Sequence, residues 1–143
     1  GDLPAWSFLE TPASKDAITE VRNLGDLGYT NLRGAFFDCL NLKTFSGGGT
    51  ENVTNMSRMF SGTTSLMAID VSTFDTSKVT DMKEIFNGAS ALTSLDTTGW
   101  DVTSVLDSSD WNSSTTFNLS CDDPDSGGGG IPGTGSMFGE ACN

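Results

Sequence analysis

The sequence predicts an α/β fold in which short copies of one motif stack side by side into a solenoid. We expect a parallel sheet of about four to six short strands on one side, short helices on the other, and a cap at each end. Three observations predict this fold: an internal repeat, a helical spacing of apolar residues in each copy, and a strand-like spacing after it. All 143 residues are expected to form one domain, with an N-terminal cap over 1–17, repeats over 18–111, and a C-terminal cap with a glycine-rich loop over 112–143.

The repeat aligns Val53–Lys78 with Val79–Ser104 at an offset of 26 residues. A shorter copy, at an offset of 24, begins at Tyr29, and a degenerate copy begins at Val105. The apolar residues that fall in register are Met56 with Met82, Met59 with Ile85 and Trp111, Phe60 with Phe86, Leu66 with Leu92, and Phe74 with Trp100. A repeat of this length indicates a stack in which neighbouring copies bury a shared core, so a core truncation such as Phe86→Ala is expected to weaken the whole domain.

Each copy begins with a segment whose spacing predicts a two-turn helix. In Asp81–Gly88, the side chains of Met82, Ile85 and Phe86 fall on one helical face. The aspartate at the start and Glu84 three residues later match a capping box, and the final glycine suits a left-handed C-terminal position. A helix this short is not stable alone, so its apolar face must pack on neighbouring copies.

The next segment of each copy has the spacing L-x-x-L-x-L, which predicts a short strand and is typical of leucine-rich repeats. Because strand side chains alternate, the residues beside the inward leucines face solvent. This places Asp70 and Asp96 as neighbours across a parallel ladder, where strands lie about 4.8 Å apart. We predict a ligand-binding face there, made of Ser46, Asp70, Ser72, Ser94, Asp96 and Thr98.

Two interpretations of the Asp70 and Asp96 pair remain open at this point. Water and salt can screen the two charges, which then only keep the surface soluble. Alternatively, the pair awaits a cation, which is either calcium or a Lys or Arg side chain of a partner, since unpaired like charges at this spacing are destabilising. Asp75 and Asp101, by contrast, are expected to hydrogen-bond their own turns.

The motifs "VTNMSRMF", "SLMAIDVSTFDTSKVTDM" and "ALTSLDTTGWD" resemble the BspA-type leucine-rich repeats of microbial surface proteins. The resemblance covers roughly Ile18 to Asp110. It implies an extracellular, cell-surface solenoid that attaches to host proteins, other cells or biofilm matrix. The expected partner is therefore a protein or peptide on a host or neighbouring cell, with a carbohydrate-binding module as the alternative function and a second copy of the chain as a further candidate partner.

Composition excludes several classes of function. The chain has 7 basic and 19 acidic residues, for a formal charge of −12, which disfavours nucleic acid and anionic membrane surfaces. No apolar run is long enough to insert into a bilayer. Histidine is absent, so Ser-His-Asp and Cys-His catalysis are excluded and no enzyme is expected. Carboxylate chemistry of the glycosidase type is the one enzymatic class that composition leaves open.

The acidic and cysteine residues of the C-terminal segment 112–143 lead to two further predictions. Asp122, Asp123 and Asp125 lie in a loop, either as a solvated turn or as a calcium site built from carboxylate oxygens. Cys121 and Cys142 flank the glycine-rich loop, and in an extracellular compartment we expect them to form a disulfide. The alternative is that these two thiols are unrelated.

The remaining cysteine and the tryptophans are assigned to the core and the caps. Cys39 occupies the slot of Thr63 and Ala89 in the other copies and is expected to be a buried free thiol. Trp100 and Trp111 are expected in the core, because they occupy apolar slots of the repeat. Trp6 and Phe8 are expected to cap the N-terminal end of the stack.

Overall fold

The computed structural model describes residues 12–113, 115, 118–120, 136–137 and 140–141. Among these residues, a 3-10 helix over Pro12–Ala17 precedes seven short strands. Five of these strands pair in parallel and the last two pair antiparallel. The strands are β1 Glu20–Val21, β2 Thr44–Ser46, β3 Ala68–Asp70, β4 Ser94–Asp96, β5 Asn118–Ser120, β6 Ser136–Met137 and β7 Glu140–Ala141. No helix in the described part of the chain is long and apolar enough to cross a membrane.

The predicted parallel pairing of strands is confirmed, but the prediction of one continuous sheet is wrong. Strands β1, β2 and β3 form one parallel sheet, and β4 and β5 form a second. Equivalent apolar residues pair at the centre of each ladder, as Phe45 does with Ile69 and Leu95 with Leu119. The fold therefore places one copy beside the next, with a break between β3 and β4.

The loop after β3 is two residues longer than the loop after β2. Thr50 and Thr76 mark equivalent positions, because each hydroxyl donates to the carbonyl of the aspartate 25 residues on (3.0 and 2.9 Å). Four residues separate Phe45 from Thr50, whereas six separate Ile69 from Thr76. The first loop residue after β3 is Val71, and its carbonyl accepts a bond from the Trp100 indole at 3.4 Å. The loop after β4 has the same length as the loop after β3, since six residues also separate Leu95 from Val102.

The predicted short helices are wrong: the segments equivalent to Asp81–Gly88 are runs of turns. In the segment of the preceding copy, every second backbone N–H donates to a carbonyl of the next copy, as the Phe60 N–H does to the Ile85 carbonyl at 2.8 Å. The N–H groups between them close local turns, as Met59 does to the Met56 carbonyl at 3.1 Å. An α-helix would direct every N–H back along its own segment, so neighbouring copies have replaced the helical bonds with bonds between copies.

Backbone angles explain why these segments cannot be helical. Arg58, Glu84 and Asp110 occupy one slot of the repeat and have φ values of 57°, 53° and 53°. A left-handed residue in mid-segment interrupts a right-handed helix. Gly88 is left-handed, as the sequence suggests, with φ of 76°.

The predicted capping box is also wrong, because its two acidic residues have other partners. Asp81 accepts a bond from the Lys83 N–H at 3.0 Å, which closes a short turn. Glu84 forms a two-pronged ion pair with Arg58 of the preceding copy, with distances of 2.8 and 3.2 Å from Nε and Nη2. This pairing raises the pKa of the Arg58 guanidinium, mainly through the hydrogen bonds to Glu84. Glu84 thus links copies instead of capping a helix.

The core is a column of stacked rings that crosses the copies. Phe60 lies between Phe36 and Phe86, with ring centroids 5.6 and 5.4 Å apart and interplanar angles of 8° and 2°. Trp100 stacks on Phe74 at 6.2 Å. Side chains that the repeat aligns therefore stack on one another in the core. Trp100 and Trp111 are both buried, as predicted, whereas Trp6 and Phe8 lie outside the described residues.

Cys39 is free and fully buried, as predicted from its slot in the repeat. Burial raises the pKa of its thiol to about 12, with Lys15 opposing the shift. The thiol is therefore protonated and poorly nucleophilic at neutral pH. Its role is packing in the position that Thr63 and Ala89 occupy in the following copies.

Candidate functional site

The outward side chains of β1 to β4, together with Arg22 directly after β1, form a surface that we call the strand face. One apolar residue of each strand turns inward: Phe45 and Leu95 are buried, and Val21 and Ile69 pack against the core. The flanking residues turn outward and are exposed or half-buried. The members of the strand face are Glu20, Arg22, Thr44, Ser46, Ala68, Asp70, Ser94 and Asp96.

The first three strands of this face form an open groove of about 410 Å³. At one end of the groove, Glu20 and Arg22 form an ion pair of 3.1 Å. The middle of the groove is lined by Thr44, Ser46 and Ala68, whose short side chains leave it shallow. The lining also includes the apolar residues Val21, Phe45 and Ile69. An open groove of this kind can bind a flat or extended surface, but it does not enclose a small molecule.

The two aspartates of the strand face are held by short turns that follow their strands. Oδ1 of Asp70 accepts bonds from the N–H and the hydroxyl of Ser72 at 3.0 and 2.6 Å. Oδ1 of Asp96 accepts a bond from the N–H of Thr98 at 2.9 Å. These bonds fix the orientation of both carboxylates, although both side chains are exposed.

The same turn occurs at Asp75 and Asp101, as predicted for these two residues. Their Oδ1 atoms accept from the backbone and hydroxyl groups of Ser77 and Thr103 at 2.6 to 3.0 Å. The sequence analysis assigned this turn to Asp75 and Asp101 alone, but Asp70 and Asp96 form it as well. What separates Asp70 and Asp96 from the others is their position on the strand face.

The turn bonds lower the pKa of Asp70 and Asp96 below the ordinary value of 3.8. Bonds from Ser72 dominate at Asp70, and bonds from Thr98 dominate at Asp96. Burial opposes the shift at both residues, and the negative charge of Asp70 further raises the pKa of Asp96. The two carboxylates therefore interact, and both are charged at neutral pH.

The turn aspartates predict that acid destabilises the fold. The pKa is lowered at Asp70, Asp75, Asp96 and Asp107, in each case mainly by bonds from the residue two positions on. A lowered folded-state pKa contributes stability above the unfolded value, and that stability is lost as the pH falls through the folded value. We expect the melting temperature to be level down to about pH 5 and to fall below about pH 4. Thermal unfolding between neutral and acid pH, followed by circular dichroism, measures this.

A variant with asparagine at all four positions is the matched control for the acid prediction. Asparagine keeps an acceptor oxygen for the turn but does not titrate in this range. Its melting temperature should therefore depend less steeply on pH than that of the parent. An equal slope in both proteins would mean that other carboxylates cause the acid sensitivity.

The structure brings together some of the predicted ligand-binding residues and not others. Ser46 and Asp70 face each other across the β2–β3 ladder. Ser94 and Asp96 lie on β4, where Asp96 pairs with Ser120. The predicted ladder between Asp70 and Asp96 is therefore wrong, because β3 and β4 touch without strand pairing.

Ser72 and Thr98 lie beyond the strand ends and hold their own aspartates. Their hydroxyl and N–H groups are therefore positioning groups, and any contact with a ligand stays a prediction. The loop carboxylates Asp122, Asp123 and Asp125 and the cysteines Cys121 and Cys142 lie outside the described residues. Within the described part of the chain, no group of three or more His, Cys, Asp or Glu side chains is arranged to hold a metal ion.

Sequence reasoning missed a second groove, of about 280 Å³, beyond the ends of β1 and β2. Its walls are mainly backbone, from Gly25 and Gly47–Gly49, with Asp26 at its side. A Cβ added at Gly49 would lie within 2.9 Å of carboxylate oxygens of both Asp26 and Glu51. The run of three glycines was the signal in the sequence, since glycine permits such close approaches.

Comparison with known proteins assigns the chain to a family but supplies no activity. The family model described as "Mycoplasma protein of unknown function, DUF285" matches residues 30–141. No curated protein and no solved structure matches the chain. Because the family match spans most of the sequence, the protein belongs to the DUF285 family.

Proposed function

We propose that this protein is a short leucine-rich-repeat solenoid, as its resemblance to BspA-type repeats implies. It acts outside the cell as an adhesion module, and it binds a protein or peptide on a host or neighbouring cell without catalysis. The observation that carries the proposal is the strand face, which forms an open groove on three parallel strands and exposes hydroxyl and charged side chains. Such a face offers many hydrogen-bonding groups to an extended partner and no pocket for a small substrate.

Contacts between successive copies support the solenoid. Each ladder of turns joins one copy to the next through four backbone bonds, for example from Leu32 to Asn55 and from Met56 to Asp81. Equivalent side chains stack in the same order, as the column of phenylalanine rings does. Nearest-neighbour contacts of this kind are typical of repeat proteins, whose rigid frame presents an extended surface.

A protein partner is favoured over a glycan by the position of the aromatic residues. Sugar sites commonly use an exposed ring as a stacking platform, whereas Trp100 and Trp111 are buried here. In the described part of the chain, the large hydrophobic side chains that are exposed are aliphatic: Leu27, Leu40, Met67 and Leu106. The hydroxyl groups of Thr44 and Ser46 can nevertheless bond sugars, so a carbohydrate-binding module is the second candidate function.

Calcium and the extracellular location belong to the same proposal. A calcium ion bound by Asp122, Asp123 and Asp125 would offset the repulsion among their carboxylates, and a disulfide between Cys121 and Cys142 would suit an oxidising compartment. Isothermal titration with calcium, and mass spectrometry without reductant, measure these two features directly.

The proposed function is tested by blocking the strand face without changing its charge. Ala68→Trp adds bulk in the middle of the groove, and Ser90→Trp adds the same bulk at an exposed turn away from it. We expect the parent and Ser90→Trp to bind members of an array of cell-surface and matrix proteins, and Ala68→Trp to lose at least tenfold in affinity, about 1.4 kcal/mol. Retained binding by Ala68→Trp would reject the strand face, and binding confined to a glycan array would favour the second candidate.

A further inference from the structure

Negative charge is concentrated where the strands of the strand face end. Asp70 and Asp96 are the last residues of β3 and β4. Asp26 and Glu51 flank Gly49, and Asp26 lines the groove beyond the ends of β1 and β2. We call these four carboxylates the acidic rim. The beginnings of β2, β3 and β4, by contrast, carry the uncharged residues Thr44, Ala68 and Ser94.

The basic residues of the described chain leave the acidic rim without a salt bridge. Three ion pairs form among the residues that the structure describes, and they join Lys15 to Asp38, Arg22 to Glu20 and Arg58 to Glu84. Arg22, the cation of the strand face, is thus held by its own neighbour. Among the described residues, the rim therefore has no basic side chain within salt-bridge distance, and a cationic complement would come from a partner.

We propose that the strand face takes an extended, basic segment of a partner protein, whose Lys or Arg side chains meet the acidic rim. This inference rests on the proposed function and names the chemistry of its partner. The segment lies in the open groove of about 410 Å³, where short side chains allow its backbone to approach the strands. Its cationic side chains reach Asp70 and Asp96 at the strand ends.

The turn geometry favours an organic cation over calcium at these two aspartates. Oδ1 of Asp70 already accepts two bonds from Ser72, so Oδ2 is the oxygen that the turn leaves for a partner. Oδ1 of Asp96 is likewise used by Thr98. Calcium takes six to eight oxygen ligands, whereas an ammonium or guanidinium group needs one or two acceptors with suitable geometry. The bonds from Ser72 and Thr98 also orient the carboxylates before binding, which reduces the entropy lost on binding.

The partner chemistry is tested with a synthetic oligoarginine peptide and two double variants of equal charge. Asp70→Asn/Asp96→Asn removes two charges from the strand face, and Asp75→Asn/Asp101→Asn removes two charges from the same kind of turn elsewhere. Affinity is measured by fluorescence anisotropy at low salt, with a glycine-serine peptide of the same length as the neutral probe. We expect the first variant to bind oligoarginine roughly five- to thirtyfold more weakly than the parent, and the second to change less than about twofold.

The outcomes separate this inference from the proposed function. Equal losses in the two variants would mean attraction to net charge, and no oligoarginine binding by the parent would reject a basic partner. Either result would overturn the inference. The proposed function would still stand if Ala68→Trp bound a protein of the array at least tenfold more weakly than the parent. Calorimetric binding of calcium alone that both requires Asp70 and Asp96 and blocks the peptide would assign these residues to a metal instead.

Discussion

Replacing Phe60 with alanine is expected to destabilise the whole domain by about 3–5 kcal/mol, which corresponds to a melting temperature lower by about 10 °C or more. Phe60 is fully buried between the rings of Phe36 and Phe86, and Phe45 meets it edge-on at 4.8 Å. Its removal therefore opens a cavity between three successive copies. Because each copy is stabilised mainly by its neighbours, we expect a single weakened transition in circular dichroism and calorimetry.

Two comparisons make the Phe60 result specific. Phe60→Leu keeps much of the buried volume and should cost markedly less than Phe60→Ala. Thr64→Ala changes an exposed turn residue and should alter stability by less than about 0.5 kcal/mol. If Phe60→Ala melted with the parent, the column of rings would not be the core of this fold.

Gly48→Ala is expected to destabilise the protein by up to about 3 kcal/mol, because a Cβ at this position would overlap backbone. The added atom would overlap the Gly25 carbonyl oxygen and would lie 2.7 Å from the Gly25 nitrogen. Gly25 and Gly48 form a parallel bridge, and the Gly49 N–H donates to the Gly25 carbonyl at 3.0 Å. Since no flexible side chain can move aside, the first two copies must separate locally.

The control for Gly48 is a glycine whose replacement costs conformational energy without a clash. Gly99 has φ of 86°, and a Cβ there would meet nothing within 4 Å. Gly99→Ala should therefore cost about 1 kcal/mol through its left-handed backbone alone. Hydrogen exchange distinguishes the two variants: only Gly48→Ala should expose the amide of Gly49. Unchanged protection of that amide in Gly48→Ala would contradict the close approach of the two copies.

The register of the copies was readable from the sequence because it is a matter of apolar spacing. Aligning Phe60 with Phe86 and Phe74 with Trp100 predicted which side chains stack, and both pairs are stacked in the structure. The same alignment assigned Cys39 to the core and placed Trp111 in the slot of Ile85. Buried positions recur once in every copy of the repeat, so apolar residues recur at the same spacing in the sequence.

The local conformation between the strands was not readable in the same way. The spacing of Met82, Ile85 and Phe86 fits a helix, yet these residues lie in turns that bond to the next copy. A helical face and a series of stacked turns bury the same positions, so the apolar pattern does not distinguish them. The bonds between copies decide the outcome, because they compete with the local bonds of a helix and exist only once neighbouring copies are in place.

Some features of the candidate site likewise follow from the sequence, and others depend on the tertiary structure. That Asp70 and Asp96 face outward beside strands followed from the alternation of side chains, and the sequence by itself determined it. Whether they face each other across a ladder was decided only by the tertiary structure, where β3 and β4 belong to different sheets. The grouping of Asp26 with Glu51 around Gly49 was decided there as well, because it depends on how closely two backbones approach. Alternation along one strand is a local property of the chain, whereas the spacing between strands and loops belongs to the packed stack.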